Sequence, residues 1–221
     1  MKHIILLILI IGMTLIGCNQ KSQEVNLNTN QLKNIETFDK SDDDKDDIQN
    51  LIRNVLNWAD SKDNIELLPI ASDSANIIYT SFDLEKHKQN LDKLKSTDFF
   101  TTEFIDNYNQ IILAIDKGLR NGEYERWLVG DLPTFPFANG ASPWCMCQDN
   151  LDWNTVEVKA IALDDDEGEL EWYWGDISAD TDPSWKEFRY KFNVKKENNI
   201  WRISYMEGFD FEESTRKNFE L

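Results

Sequence analysis

The stretch FRYKFNVKKENNIWRISY, residues 188–205, decides the fold. Phe188, Tyr190, Phe192 and Val194 alternate with Arg189, Lys191 and Asn193. Trp201, Ile203 and Tyr205 alternate with Arg202 and Ser204. A period of two places successive side chains on opposite faces of a strand, one buried and one wet. The residues between the runs, Lys195 to Asn199, suit a turn, so the stretch predicts a β-hairpin. Two more runs of this kind precede it. Val156, Val158, Ala160 and Ala162 alternate with Glu157, Lys159, Ile161 and Leu163; Leu170, Trp172 and Trp174 alternate with Glu171 and Tyr173. Asp164 to Gly168 is the turn between them. The last third of the chain therefore predicts an antiparallel sheet of about four strands.

The first half has a different period. Ile48, Leu51, Ile52, Val55 and Leu56 fall on one helical face, which predicts a helix from Ser41 to about Ser61. Ser41 to Asp44 suit its start, where a side-chain oxygen caps free N–H groups and carboxylates meet the positive end of the dipole. From Leu84, with Leu91 and Leu94, a second helix is expected. Phe100, Phe104, Tyr108, Ile111, Ile112, Ile115 and Leu119 form the longest apolar stripe and predict a third, with Gly118 and Gly122 marking its end. Residues 62–83 are ambiguous, with short extended pieces at Leu67–Ile70 and Ile77–Tyr79. Helices followed by strands predict an α+β fold, N-terminal helices packed on a curved antiparallel sheet, as one globular domain over residues 41–221. Residues 123–154 read as a long loop. They hold Pro133, Pro136, Pro143, several aromatics, Cys145 and Cys147. Loops of this length inside a domain are usually functional or disordered, and the aromatics argue against disorder.

The N-terminus reads as a signal. Met1, Lys2 and His3 form a basic lead, Ile4 to Ile11 are all Ile or Leu, and small residues follow. The apolar run is shorter than the roughly 20 residues a spanning helix needs. Leu15, Gly17 and Cys18 resemble the bacterial lipobox. That resemblance implies a signal peptide over residues 1–17, cleavage before Cys18, and acyl chains on Cys18. Two or three chains on one residue satisfy the two-signal requirement for a stable anchor. Asn19 differs from the Asp that resembles an inner-membrane retention signal, which favours an outer-membrane address in the cell envelope. Residues 18–40 then read as lipidated cysteine and polar spacer.

Composition removes one class of function. The chain carries 23 Lys+Arg against 41 Asp+Glu, a net charge of −18. Such a polyanion is repelled by nucleic acid and by anionic lipid, and aromatic stacking does not replace a cationic groove. The acidity serves solubility and suits a basic partner. Eight Trp, twelve Phe and six Tyr are ample for a packed core.

Few residues suggest chemistry. Beyond Cys18, His87 is the only histidine, in Glu85-Lys86-His87-Lys88, and reads as a solvated helix residue. Without it no Ser-His-Asp or Cys-His arrangement exists. There is no glycine-rich phosphate loop and no zinc motif, so no cofactor or metal is expected. Cys145-Met146-Cys147 is the most distinctive local feature. It reads as a disulfide, as two buried thiols, or as a redox or soft-metal site with Met146. Asp176, Asp180, Asp182 and the run Asp164 to Glu167 do not match the EF-hand pattern, and turn chemistry accounts for them. Trp144 and Trp153 in the loop, with Trp172 and Trp174 on a strand, are the candidate ligand-binding residues. Core packing competes for them, but aromatic walls at an open sheet end bind sugars, peptides or small apolar ligands.

Helices first, then an antiparallel meander closing on the hairpin Phe188 to Tyr205, resembles the nuclear-transport-factor-2-like (cystatin-like) α+β fold. The resemblance spans roughly residues 43–206 in order of elements. That fold hosts enzymes, binding modules and immunity-type proteins alike. The expectation is a lipid-anchored, non-enzymatic binding or interaction module. The alternatives are an inhibitor or immunity-type protein that acts on a basic toxin or hydrolase, and an enzyme whose carboxylates and tyrosines act inside the cone of the sheet.

Overall fold

After the first, each α-helix begins where a side chain takes up free N–H groups. The structure, a computed structural model, describes residues 40–70 and 77–217; Cys18 and its spacer lie outside them. Helix α1 spans Lys40–Ala59 and buries Ile48, Ile52, Val55 and Leu56. Helix α2 spans Leu84–Ser96, with the Asp83 carboxylate accepting from the backbone N–H of Glu85 and Lys86. Helix α3 spans Thr102–Asn121, with the Thr101 hydroxyl accepting from Phe104 N–H. Its end lies at Gly122 (φ 65°), not at Gly118, and Glu123 N–H returns to the Gly118 carbonyl at 2.9 Å. That left-handed stop needs glycine. Gly118 has another use: the Tyr124 ring lies where a Cβ would stand.

The sheet is a meander of four antiparallel strands, β3 (Val156–Leu163), β4 (Glu167–Trp174), β5 (Tyr190–Glu197) and β6 (Ile200–Met206), in that spatial order. Asn198 and Asn199, both at positive φ (54° and 62°), join β5 to β6 in a tight turn. Asp164 accepts from the N–H of Asp166 and Glu167 and so shapes the β3–β4 turn; these bonds hold its carboxyl below the usual range. β5 begins at Tyr190 rather than Phe188, because Asp182 caps a short helix α4 (Pro183–Glu187) that ends at Phe188. Two register shifts bend the sheet. One leaves Ile161 out of the β3–β4 pairing and the other leaves Ser204 out of the β5–β6 pairing. The second explains why the neighbours Ile203 and Ser204 are both buried.

Both sheet edges are covered in part. Along β6, Thr101 N–H reaches the Ile203 carbonyl and Ile203 N–H reaches Phe99. Along β3, α1 supplies side chains: Arg53 Nε donates to the Val156 carbonyl at 2.8 Å and Val158 N–H donates to Gln49 Oε1 at 3.1 Å. An edge with satisfied backbone groups does not recruit a stray strand. Among the described residues of the ambiguous region 62–83 is a two-residue strand, β1 (Ile78–Tyr79), paired with β2 (Trp127–Leu128). A final short helix, α5 (Phe211–Thr215), packs on α3.

His87 departs from its expected solvated position. His87, Asn90 and Leu94 share the buried face of α2. The imidazole bonds Asn109 through Nε2 at 2.9 Å and packs edge-on against the Tyr108 ring. Nδ1 is buried without a partner. Burial holds the His87 pKa below its ordinary 6.5, and the Asn109 bond only partly opposes it. As pH falls through 6.5 the unfolded chain takes up a proton that the folded chain refuses, so stability is lost on the acid side. We expect the thermal midpoint to fall more between pH 7.5 and 5.5 in the native chain than in His87→Gln. Equal falls would show that carboxylates alone set the acid limb.

Candidate functional site

Residues 123–154 contain little regular structure, yet aromatic side chains pin them to the domain. Trp127 packs at a tilt against Tyr79 and edge-on against Phe135. Phe135 and Phe137 are fully buried, Phe137 between Tyr108 and Phe209. Trp144 fills a hole bounded by Trp58, Phe100, Phe104 and Phe209, at ring distances of 4.5 to 6.1 Å. Each such ring removes much apolar area from water. Backbone polarity is handled at one node: the Tyr190 hydroxyl donates to the Pro143 carbonyl at 2.7 Å and accepts from Gly208 N–H at 3.1 Å. Gly208 also leaves the room this needs, since a Cβ there would run into the Pro143 carbonyl. Tyr190 is wholly buried, and its hydroxyl is held protonated far above its ordinary pKa by that burial.

With its root fixed, the segment projects a small loop. Ser142 N–H bonds the Cys147 carbonyl at 2.9 Å, and Met146 N–H bonds the Ser142 carbonyl at 2.7 Å. A disulfide joins Cys145 to Cys147 across the loop. Met146 sits at the apex with φ 51° and 55% of its surface exposed. A cleft lies on each side of the loop. One, of about 250 Å³, is bordered by Phe137, Pro143, Met146, Glu207 and Arg216. The other, of about 120 Å³, is bordered by Asp60, Trp144, Cys145, Cys147 and Trp153. Glu207 is half-buried, and desolvation raises its pKa above the ordinary carboxylate value. Farther along, Ile77, Val129 and Leu132 are exposed around the β1–β2 ribbon, where Val129 N–H bonds the Ile77 carbonyl.

The sequence-derived candidates separate into two groups. Cys145, Cys147, Trp144 and Trp153 meet at the smaller cleft, although both indoles are almost entirely buried. Trp153 Nε1 reaches Asp60 at 3.4 Å and its ring stacks on Trp174. Trp172 and Trp174 lie in the core, with Trp172 on Tyr190. Trp172, Tyr190 and Phe192 fill the inner face of the sheet. Of the acidic candidates, Asp182 caps α4 and Asp164 shapes the β3–β4 turn. Among the described residues no three His, Cys, Asp or Glu side chains gather as a metal site would. The Tyr190–Pro143–Gly208 node was not legible in sequence, because its three members are far apart along the chain. Met146 was flagged only by its cysteines.

No family model, curated protein or solved structure matches this chain.

The node has a measurable consequence. Tyr190→Phe keeps the ring but leaves the Pro143 carbonyl and the Gly208 N–H buried without partners, which should cost about 2 kcal/mol. Gly208→Ala should destabilise by at least as much and expose Trp144, read as a red shift in tryptophan emission. Unchanged denaturation midpoints for both variants would remove the node from the account.

Proposed function

We propose that this chain is a non-enzymatic binding module, tethered to a bacterial envelope membrane by lipid on Cys18, that engages a partner through the outward face of residues 123–154. The observation that carries this reading is Met146, a flexible apolar side chain held out at the apex of a disulfide-closed loop between two clefts. Methionine adapts to irregular surfaces and is common at adaptable binding sites. Exposed aliphatics at Val129 and Leu132, with Ile77 beside them, extend the apolar character of that face. The filled inner face of the sheet supports a surface binder over a cavity enzyme. The lipobox at Leu15 to Cys18 supports the tether.

One observation favours the inhibitor version, in which the partner is a basic toxin or hydrolase. A cleft of about 450 Å³ between the β3–β4 hairpin and the start of α3 is bordered by Glu103, Asp164, Glu167 and Glu169. Its lysine, Lys195, is already engaged by Glu103 at 2.6 Å and by Glu167 at 3.7 Å. Such a surface speeds encounter with a basic protein and loses that advantage in salt.

Photo-crosslinking in intact envelopes tests the binding surface. A photoreactive residue at position 146 or 132 should give the same protein adduct, and one at Lys186 on α4 should give none. Adducts at all three positions, or at none, would sink the reading; an adduct lost at high salt selects the inhibitor version. For the tether, Cys18→Ala should abolish incorporation of labelled palmitate, and persistent label would refute it.

A further inference from the structure

A third cleft, of about 400 Å³, shares no residue with those beside Met146. Its walls are α1, the α2–α3 connection and the β5–β6 turn. Asp47, Asn50 and Asn54 lie along one stripe of α1, with Asn50 and Asn54 one turn apart. Asp98 faces them from the α2–α3 connection and Asn199 from the turn. The floor includes half-buried Phe99 and Ile200, the latter 55% exposed.

Several side-chain amides of the domain are taken up by the fold itself. Asn57, Asn64, Asn90, Asn107 and Asn139 each donate to a backbone carbonyl and hold the fold. Asn50, Asn54 and Asn199 have no side-chain partner among the described residues, and they border the same cleft. Each carboxamide offers two donors and an acceptor oxygen with two lone pairs. A row of such groups matches a ligand whose every polar group both donates and accepts, which is the chemistry of hydroxyls. The apolar floor matches a ligand with a flat C–H face. A pyranose ring presents both at once.

Charge narrows the class. No Lys, Arg or His borders the cleft, and Asp47 and Asp98 do. Arg202, the nearest cation to Asp98, is paired to it at 3.1 Å and to Glu197 at 3.7 Å. A uronate or phosphosugar would meet the Asp47 carboxylate, and the one cation beside Asp98 is already engaged by Asp98 and Glu197. An extended peptide is recognised by an open strand edge or by side-chain pockets. Here the adjacent β6 edge is covered by Phe99 to Thr101, and the cleft is walled by a helix and turns. We infer that the cleft between α1 and the β5–β6 turn binds a saccharide, neutral or amine-bearing, through Asn50, Asn54 and Asn199, with Phe99 and Ile200 under the ring.

The test is isothermal titration of the full chain in a detergent without a sugar head group. The probes are the trisaccharides of glucose, of N-acetylglucosamine and of galacturonic acid, and a lysine–alanine tripeptide. Saturable binding of one of the first two, with galacturonate at least tenfold weaker, supports the inference. The pair Asn50→Ala, Asn54→Ala should then weaken binding at least tenfold with an unchanged thermal midpoint, because alanine suits an exposed helix face. Ile200→Ser, at the exposed start of β6, should weaken it as well and serves if the helix variant fails to fold. No saturable sugar binding, equal binding of galacturonate, binding unaltered in the variants, or binding of the tripeptide alone would each overturn it. These outcomes do not depend on crosslinking at Met146, so the two readings fail separately.

Discussion

The hydroxyl of Tyr190 is where the three parts of the domain meet. It projects from the sheet, donates to a carbonyl of the long 123–154 segment and accepts from the backbone just after β6. A segment this long without a ladder of its own carries many backbone groups that cannot be buried unpaired. The node satisfies the Pro143 carbonyl at the deepest point, and Gly208 permits the close approach. Trp144, the next residue, then drops into the aromatic hole over α3. Without that fixed root the disulfide loop would have no defined place to project from.

The aromatic layer explains why the recognisable features of this protein are on its outside. Tryptophan, phenylalanine and tyrosine side chains fill the space between helices and sheet. Buried polar groups there serve the fold: Asp116 accepts from Phe82 N–H and from Arg120, and Tyr108 donates to the Leu67 carbonyl. What is left for binding is surface: an apex methionine with flanking clefts, an acidic cleft, and a carboxamide-lined cleft. Each has a distinct chemistry.

The strands were legible because a half-buried strand writes its burial into alternate residues, as in Tyr190, Phe192 and Val194. The helices were legible for the corresponding reason at a period near 3.6. The bulges at Ile161 and Ser204 left no local signal. His87 was misread because Glu85, Lys86 and Lys88 surround it in sequence, whereas its neighbours in space are one and two turns away, at Asn90 and Leu94. Spacing singled out Cys145 and Cys147 correctly as an unusual pair. It could not rank Trp144, Trp153, Trp172 and Trp174, since an indole in a loop and an indole in a strand look alike until the opposing surface is known.

From the sequence alone come the α+β class, the order of its elements, the net negative charge, and the expectation of a lipid on Cys18. All follow from local periodicity, charge and adjacency along the chain. Only the tertiary structure decided that the tryptophans are core, that a short ribbon draws Ile78 and Tyr79 onto Leu128 and Trp127, and that Asn50, Asn54 and Asn199 share a cleft. These depend on contacts between residues far apart in the chain, and no local pattern encodes which distant surface a side chain will meet.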